Sequence, residues 1–142
     1  MLKGIPSIIS PELLKILMEM GHGDELVIAD GNFPAASIAQ RLVRSDGNNV
    51  PELLEAVLTL FPLDPYVDHP VALMQVVPGD PYVPTIWETY RQIIQKFPNR
   101  KNSMENIERF AFYERAKRAY AVVATSEIAL YANIILKKGV VE

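Results

Sequence analysis

No cysteine occurs among the 142 residues, and there are only one tryptophan and two histidines, His22 and His69. Without cysteine, disulfides, thiolate nucleophiles and Cys-ligated metals are excluded. The two histidines lie far apart in the chain and neither belongs to an HExxH-type pattern, so no metal is expected. The glycine-rich fingerprints that cradle phosphates, Walker A and GxGxxG, are missing, and Ser126-Glu127 lacks the flanking glycines of a nucleophile elbow. No apolar run approaches the ~20 residues that span a bilayer, and the first residues, MLKGIPSIIS, lack the apolar core and cleavage site of a signal peptide. Charge of one sign is also scarce: 14 basic against 17 acidic residues leave a net charge of −3, which gives no footprint for nucleic acid. What is present, 49% hydrophobic and 22% charged residues, is ordinary for a globular chain. The expectation is one soluble, cytoplasmic domain over residues 1–142 that buries roughly 68–70% of its unfolded surface.

Helix and strand signals alternate along the chain. Ser10-Pro11-Glu12 reads as a helix start, with a serine cap, proline in the first turn and an acid at the positive dipole end. Leu13, Leu14, Leu17 and Met18 are its expected apolar face and Gly21 its end. A strand is expected at Leu26–Ala29, and a helix from Pro34 carrying Ile38 and Leu42. Asp46–Asn49 reads as a turn, and Val50-Pro51-Glu52 leads into a helix over Leu53–Leu60. Val71–Val77 reads as a buried strand, Pro84–Lys96 as a helix and Asn99–Asn106 as a loop. Phe110–Lys117 is an expected helix, and Ala119–Thr125 and Ile134–Lys137 are expected strands. The pattern predicts an α/β fold, a single-domain sheet flanked by helices and mostly buried.

Chemistry concentrates in Gly21–Pro34, GHGDELVIADGNFP, and in Thr125–Val140, TSEIALYANIILKKGV. His22 can give and take protons near neutral pH, and the flanking Gly21 and Gly23 allow close approach; its plain alternative is a helix-end histidine bonded to carbonyls. Asp30 ends a strand, where α/β sheets place ligand groups, but an Asx turn over Gly31-Asn32 would use it equally well. Asp64 carries the same ambiguity, with a helix-stop role as its plain reading, and Met74 in VALMQVV reads first as core. Arg109 and Tyr113 stand four apart and share one helical side if the helix starts early enough. A guanidinium fork beside a phenol suits a polyhydroxylated ligand. Tyr131 and Asn133, two apart on an extended segment, would point to one side.

MLKGIP, ISPELL, MGHGDELVIADGNFP, RFAFYERAKRAYAVVATSE and LYANIILKKGV together resemble the L-fucose mutarotases, relatives of the ribose pyranases, from about residue 1 to residue 140. The resemblance implies a cofactor-free isomerase that exchanges sugar anomers. It assigns the general acid to His22, a second carboxylate to Asp64 and substrate contacts to Asp30, Met74, Arg109, Tyr113, Tyr131 and Asn133. Arg109 stands where ribose-type members have histidine, which favours the fucose branch. The alternatives are a pyranase exchanging pyranose and furanose rings of D-ribose, or a non-catalytic monosaccharide-binding protein. Ser126 and Ala132 stand where members often carry glycine. The implied partners are the monosaccharide and further copies of the chain, in a ring-shaped decamer with the site between neighbours.

Overall fold

The computed structural model describes residues 1–98 and 103–142. Five helices and six strands follow in the order α1 (Pro11–Glu19), β1 (Glu25–Ala29), α2 (Ala35–Ile38), β2 (Leu42–Ser45), α3 (Val50–Leu60), β3 (Val71–Met74), α4 (Ile86–Gln95), β4 (Met104–Ile107), α5 (Arg109–Arg118), β5 (Ala121–Thr125) and β6 (Ile134–Lys137). The strands form one sheet in the order β2-β5-β1-β6-β3-β4. β6 runs antiparallel to both of its neighbours, β1 and β3, while the other pairs are parallel. Parallel strands β1, β3, β4 and β5 therefore end on the same edge of the sheet, where β6 begins.

Alternation along the strands divides the core in two. Leu26, Ile28, Val123, Ile134 and Leu136 face one side, together with Leu13, Leu53, Leu54 and Ile94 from α1, α3 and α4. Val27, Ala29, Val122, Ala124 and Ile135 face the other, against Phe112 and Ala116 of α5 and Ala35 of α2. Each fully buried Leu or Ile contributes about 1.5–3 kcal/mol relative to exposure, and both faces being covered explains why β1 and β5 read as continuous apolar runs. Alanines at 29, 72, 116 and 124 bring α5 close to the second face.

Several boundaries differ from the sequence expectations, each for a local reason. On α1 the Ser10 hydroxyl accepts from Leu13 N–H as expected, but Met18 is 79% exposed and Ile16 takes its place in the core. The helix stops at Glu19 because Met20 turns extended, so Gly21 does not end it. The helix after Pro34 is a single turn; Leu42 leaves it to start β2, whose expected absence is corrected by its pairing with β5. β3 stops at Met74 rather than Val77. Of the expected loop, residues 99–102 lie outside the described residues, and Met104–Ile107 is not loop but edge strand β4. Its polar residues hid it, since an edge strand needs no continuous apolar run. α3 begins at Val50, whose N–H is capped by the distant Glu127 carboxylate at 3.2 Å.

Candidate active site

A cavity of about 250 Å³ opens at the shared strand edge where β1 and β3 end and β6 begins. Asp30, Met74, Arg109, Tyr113, Tyr131 and Asn133, six of the eight expected site residues, line it together. Asp30 follows β1 directly and is buried; its N–H donates to Asn133 Oδ1 (2.8 Å), and its Oδ1 accepts from Asn32 N–H (3.0 Å). The Asx turn and a place in the cavity lining therefore coexist in one residue. Burial, the largest influence, raises the Asp30 carboxyl above the usual range, against the backbone hydrogen bonds that favour its charged form. α5 does start at Arg109, so Arg109 Nε donates to Tyr113 Oη at 3.2 Å across one helical turn. Phe33 packs edge-on against Tyr113 and, with Met74, supplies an apolar wall.

Tyr131 departs from the extended geometry expected of it. Its φ of 56° places it in the left-handed region, and it is the only non-glycine residue there among the described residues. Three bonds hold it and its neighbour. The Tyr131 carbonyl accepts from Trp87 Nε1 (2.8 Å), the Tyr131 hydroxyl donates to Asp80 Oδ2 (2.6 Å), and the Ala132 carbonyl accepts from the buried Tyr90 hydroxyl (2.6 Å). Burial strongly raises the Tyr90 pKa, so that hydroxyl keeps its proton. The two positions where relatives often have glycine are accommodated. Ser126 Oγ accepts from Gly47 N–H at 2.8 Å, Ala132 is fully buried, and neither has positive φ.

His22 and Asp64 are joined to each other but not to this cavity. His22 Nε2 lies 3.2 Å from Asp64 Oδ1, and its ring packs near Tyr66 with centroids 5.6 Å apart. Asp64 is buried and its Oδ1 also accepts from Tyr66 N–H at 3.0 Å, while the His22 side chain is 46% exposed. Where the ring nitrogen donates and the carboxylate accepts, Nε2 carries a proton in this pair and Nδ1 is left outside it. This dyad sits at the amino end of β1, where Gly23 N–H donates to Lys138 O beyond β6. Five residues of β1 set it roughly 16 Å or more from Asp30 within one chain. The resemblance-based set thus divides into two clusters at opposite edges of the sheet.

Sequence reasoning missed Asp80, Phe33, Asn32, Val77 and Leu130, which also line the cavity. Pro78-Gly79-Asp80 was readable as a turn, but nothing local linked it to Tyr131. His69 pairs with Ser103 Oγ at 3.0 Å, away from both clusters. Among the described residues no group of three or more His, Cys, Asp or Glu could hold a metal ion, and no helix is long and apolar enough to cross a membrane.

Comparison with known proteins agrees along the whole chain. An L-fucose mutarotase of Actinobacillus pleuropneumoniae serotype 5b is 56% identical over 140 residues, covering 99% of this chain and 97% of the relative. The fucose mutarotase of Homo sapiens is 53% identical over 145 residues, covering 98% and 94%. The crystal structure of the fucose mutarotase in complex with L-fucose from Streptococcus pneumoniae superposes with a TM-score of 0.95 at 58% identity, covering 99% of this chain and all of that one. The family model for the RbsD / FucU transport proteins matches residues 3–141. With near-complete coverage in every comparison, the chain belongs to the RbsD / FucU family.

Proposed function

We propose that this chain interconverts the α and β anomers of L-fucose, as an L-fucose mutarotase, by general acid–base ring opening without a cofactor. The observation that carries the reading is full-length similarity to L-fucose mutarotases, at 56% and 53% identity, in a chain whose cavity offers one apolar wall and a ring of hydrogen-bonding groups. A 6-deoxy sugar asks for both: hydroxyls to pair and a methyl group to cover. Met74, Phe33 and the Tyr113 ring suit the methyl, and Arg109, Tyr131 and Asn133 suit the hydroxyls.

Ring opening breaks the bond between C1 and the ring oxygen. A base removes the proton of the anomeric hydroxyl, whose electron pair becomes the aldehyde C=O, while an acid protonates the departing ring oxygen. Rotation about C1–C2 and the reverse transfers close the ring on the other face. Asp30 is the buried carboxylate of the cavity, and a carboxyl raised by burial is a stronger base than a solvated one. His22 is the acid: with Nε2 held by Asp64, its imidazolium form gives the Nδ1 proton to the ring oxygen. Because one chain keeps the dyad away from its own cavity, His22 reaches the sugar from a second copy. The cavity lies among exposed apolar side chains, Leu130, Val77 and Phe110, which suit a contact with that copy. The ring-shaped decamer and a cytoplasmic location belong to the same proposal.

Light scattering tests the assembly: ten copies of 15.9 kDa give about 159 kDa. Activity tests the sharing. Anomer exchange of L-fucose is read by NMR saturation transfer for His22→Ala, for Asp30→Asn and for the two subunit types mixed after dissociation. Each variant alone should be nearly inactive, and the mixture should regain a fraction of wild-type exchange, since some interfaces then pair an intact His22 with an intact Asp30. A mixture as inactive as its parts would place both residues in one subunit's site or remove one of them from it.

A further inference from the structure

The segment joining β3 to α4 carries a carboxylate with no part in the chemistry above. Gly79, with φ 91°, bends this segment so that Asp80 N–H donates to Val77 O at 3.0 Å. Asp80 Oδ1 then accepts from Tyr82 N–H at 2.9 Å, which fixes the carboxylate plane, and Oδ2 takes the Tyr131 hydroxyl proton at 2.6 Å. That separation is in the range of a charge-assisted O–H···O⁻ bond. We infer that Asp80 is a positioning residue for the sugar site: by accepting the hydrogen bond that the Tyr131 hydroxyl donates, it leaves that oxygen as a hydrogen-bond acceptor toward the cavity.

The Tyr131 oxygen has few hydrogen-bonding positions to share. A phenol has one proton and two lone pairs. The Tyr131 proton goes to Asp80, and one lone pair receives Val77 N–H at 3.4 Å. One lone pair remains, so the sugar oxygen that meets Tyr131 must be an O–H donor. The same segment clamps the rest of the residue: Tyr82 lies against the Tyr131 ring, with centroids 5.9 Å apart, and Trp87 holds its carbonyl. The ring contact with Tyr82 and the bond to Asp80 hold the hydroxyl at this place, while Trp87 holds the backbone. The raised Tyr131 pKa and the lowered Asp80 pKa, each caused first by their mutual hydrogen bond, are consistent with a proton that stays on the phenol. Turn formation alone uses only Oδ1; the second oxygen is committed to the site.

This inference rests on the proposed sugar exchange, so wild-type exchange of L-fucose is the first measurement. In Asp80→Asn, the single amide oxygen cannot serve both Tyr82 N–H and the Tyr131 hydroxyl. Kept on Tyr82, it turns the amide N–H₂ toward Tyr131 and frees the phenol proton to point at the sugar, reversing the polarity of that contact. The expected result is a rise of about tenfold in KM for L-fucose, the loss typical of a hydrogen bond to a charged group, with a much smaller change in kcat. In a Tyr131→Phe background the same substitution should add nothing further. Asp80→Ser keeps an acceptor for Tyr82 N–H while removing the charge, and should show the same pattern. Wild-type kinetics in both Asp80 variants, or an equal loss with and without the Tyr131 hydroxyl, would overturn the inference in favour of a turn-forming role. An inactive wild-type protein would instead remove the sugar reading, and with it the role of Asp80.

Discussion

The two ends of β1 are built differently. At the carboxyl end, Asp30 is buried, its backbone and side chain are both bonded, and the neighbouring Tyr131-Ala132-Asn133 run is clamped by Trp87, Tyr90 and Asp80. At the amino end, His22 stands half in solvent, bonded to the buried Asp64 and lying near the Tyr66 ring. The first arrangement is rigid and concave, as a binding cavity requires. The second presents a half-exposed ring whose other nitrogen lies outside the Asp64 pair, open to groups beyond the chain. A strand of five residues connects them and also keeps them apart within one chain.

The largest effect should come from the amino end. His22→Ala is expected to slow L-fucose exchange by about 10²–10⁴-fold, the usual contribution of a placed acid or base. Its melting temperature should fall only slightly, because the buried Asp64 keeps its bond from Tyr66 N–H when the ring is lost. A matching loss of stability would make the His22–Asp64 pair structural and erase the contrast. Tyr90→Phe addresses the other end. It strands the buried Ala132 carbonyl and should destabilise the fold by about 1–3 kcal/mol in chemical denaturation. Sugar affinity should fall with it as Tyr131 loosens, whereas the His22 ring signals at the far edge should be unchanged by NMR.

Asp30→Asn is the subtlest probe. The folded-state pKa of Asp30 lies above its unfolded value, so folding favours the protonated form. Its contribution to stability is fully present below the unfolded carboxylate pKa and declines as pH rises through the raised folded value. The asparagine variant should escape that decline, melting slightly higher than wild type at neutral pH with the gap closing in acid, while exchange is lost. Equal melting curves across this range would show that Asp30 ionises in the fold without penalty.

Legibility followed the range of the interactions. The Ser10 cap, the alternation in β1 and β5 and the Arg109–Tyr113 spacing are local, and each appears as the residues imply. β2 and β4 were hidden because both are edge strands with polar positions, defined by pairing partners distant in sequence. Gly21 looked like a helix end, yet the left-handed turn comes two residues later at Gly23. Asp80 and Glu127 carried no local signal: one reaches Tyr131 and the other caps α3 only after the sheet has formed.

Taken alone, the chain's residues determined the layered α/β character, the absence of thiol chemistry and the candidate set of histidine, carboxylates, Arg109 and the Tyr-x-Asn run. These depend on side-chain type and on spacing within an element, which a linear reading contains. The tertiary structure decided which candidates share a cavity, that His22 and Asp64 form a pair apart from it, and which atom of Tyr131 is left to face a ligand. Those outcomes depend on strand order and direction: antiparallel β6 brings Asn133 to Asp30 at one edge and Lys137 to Asp64 at the other.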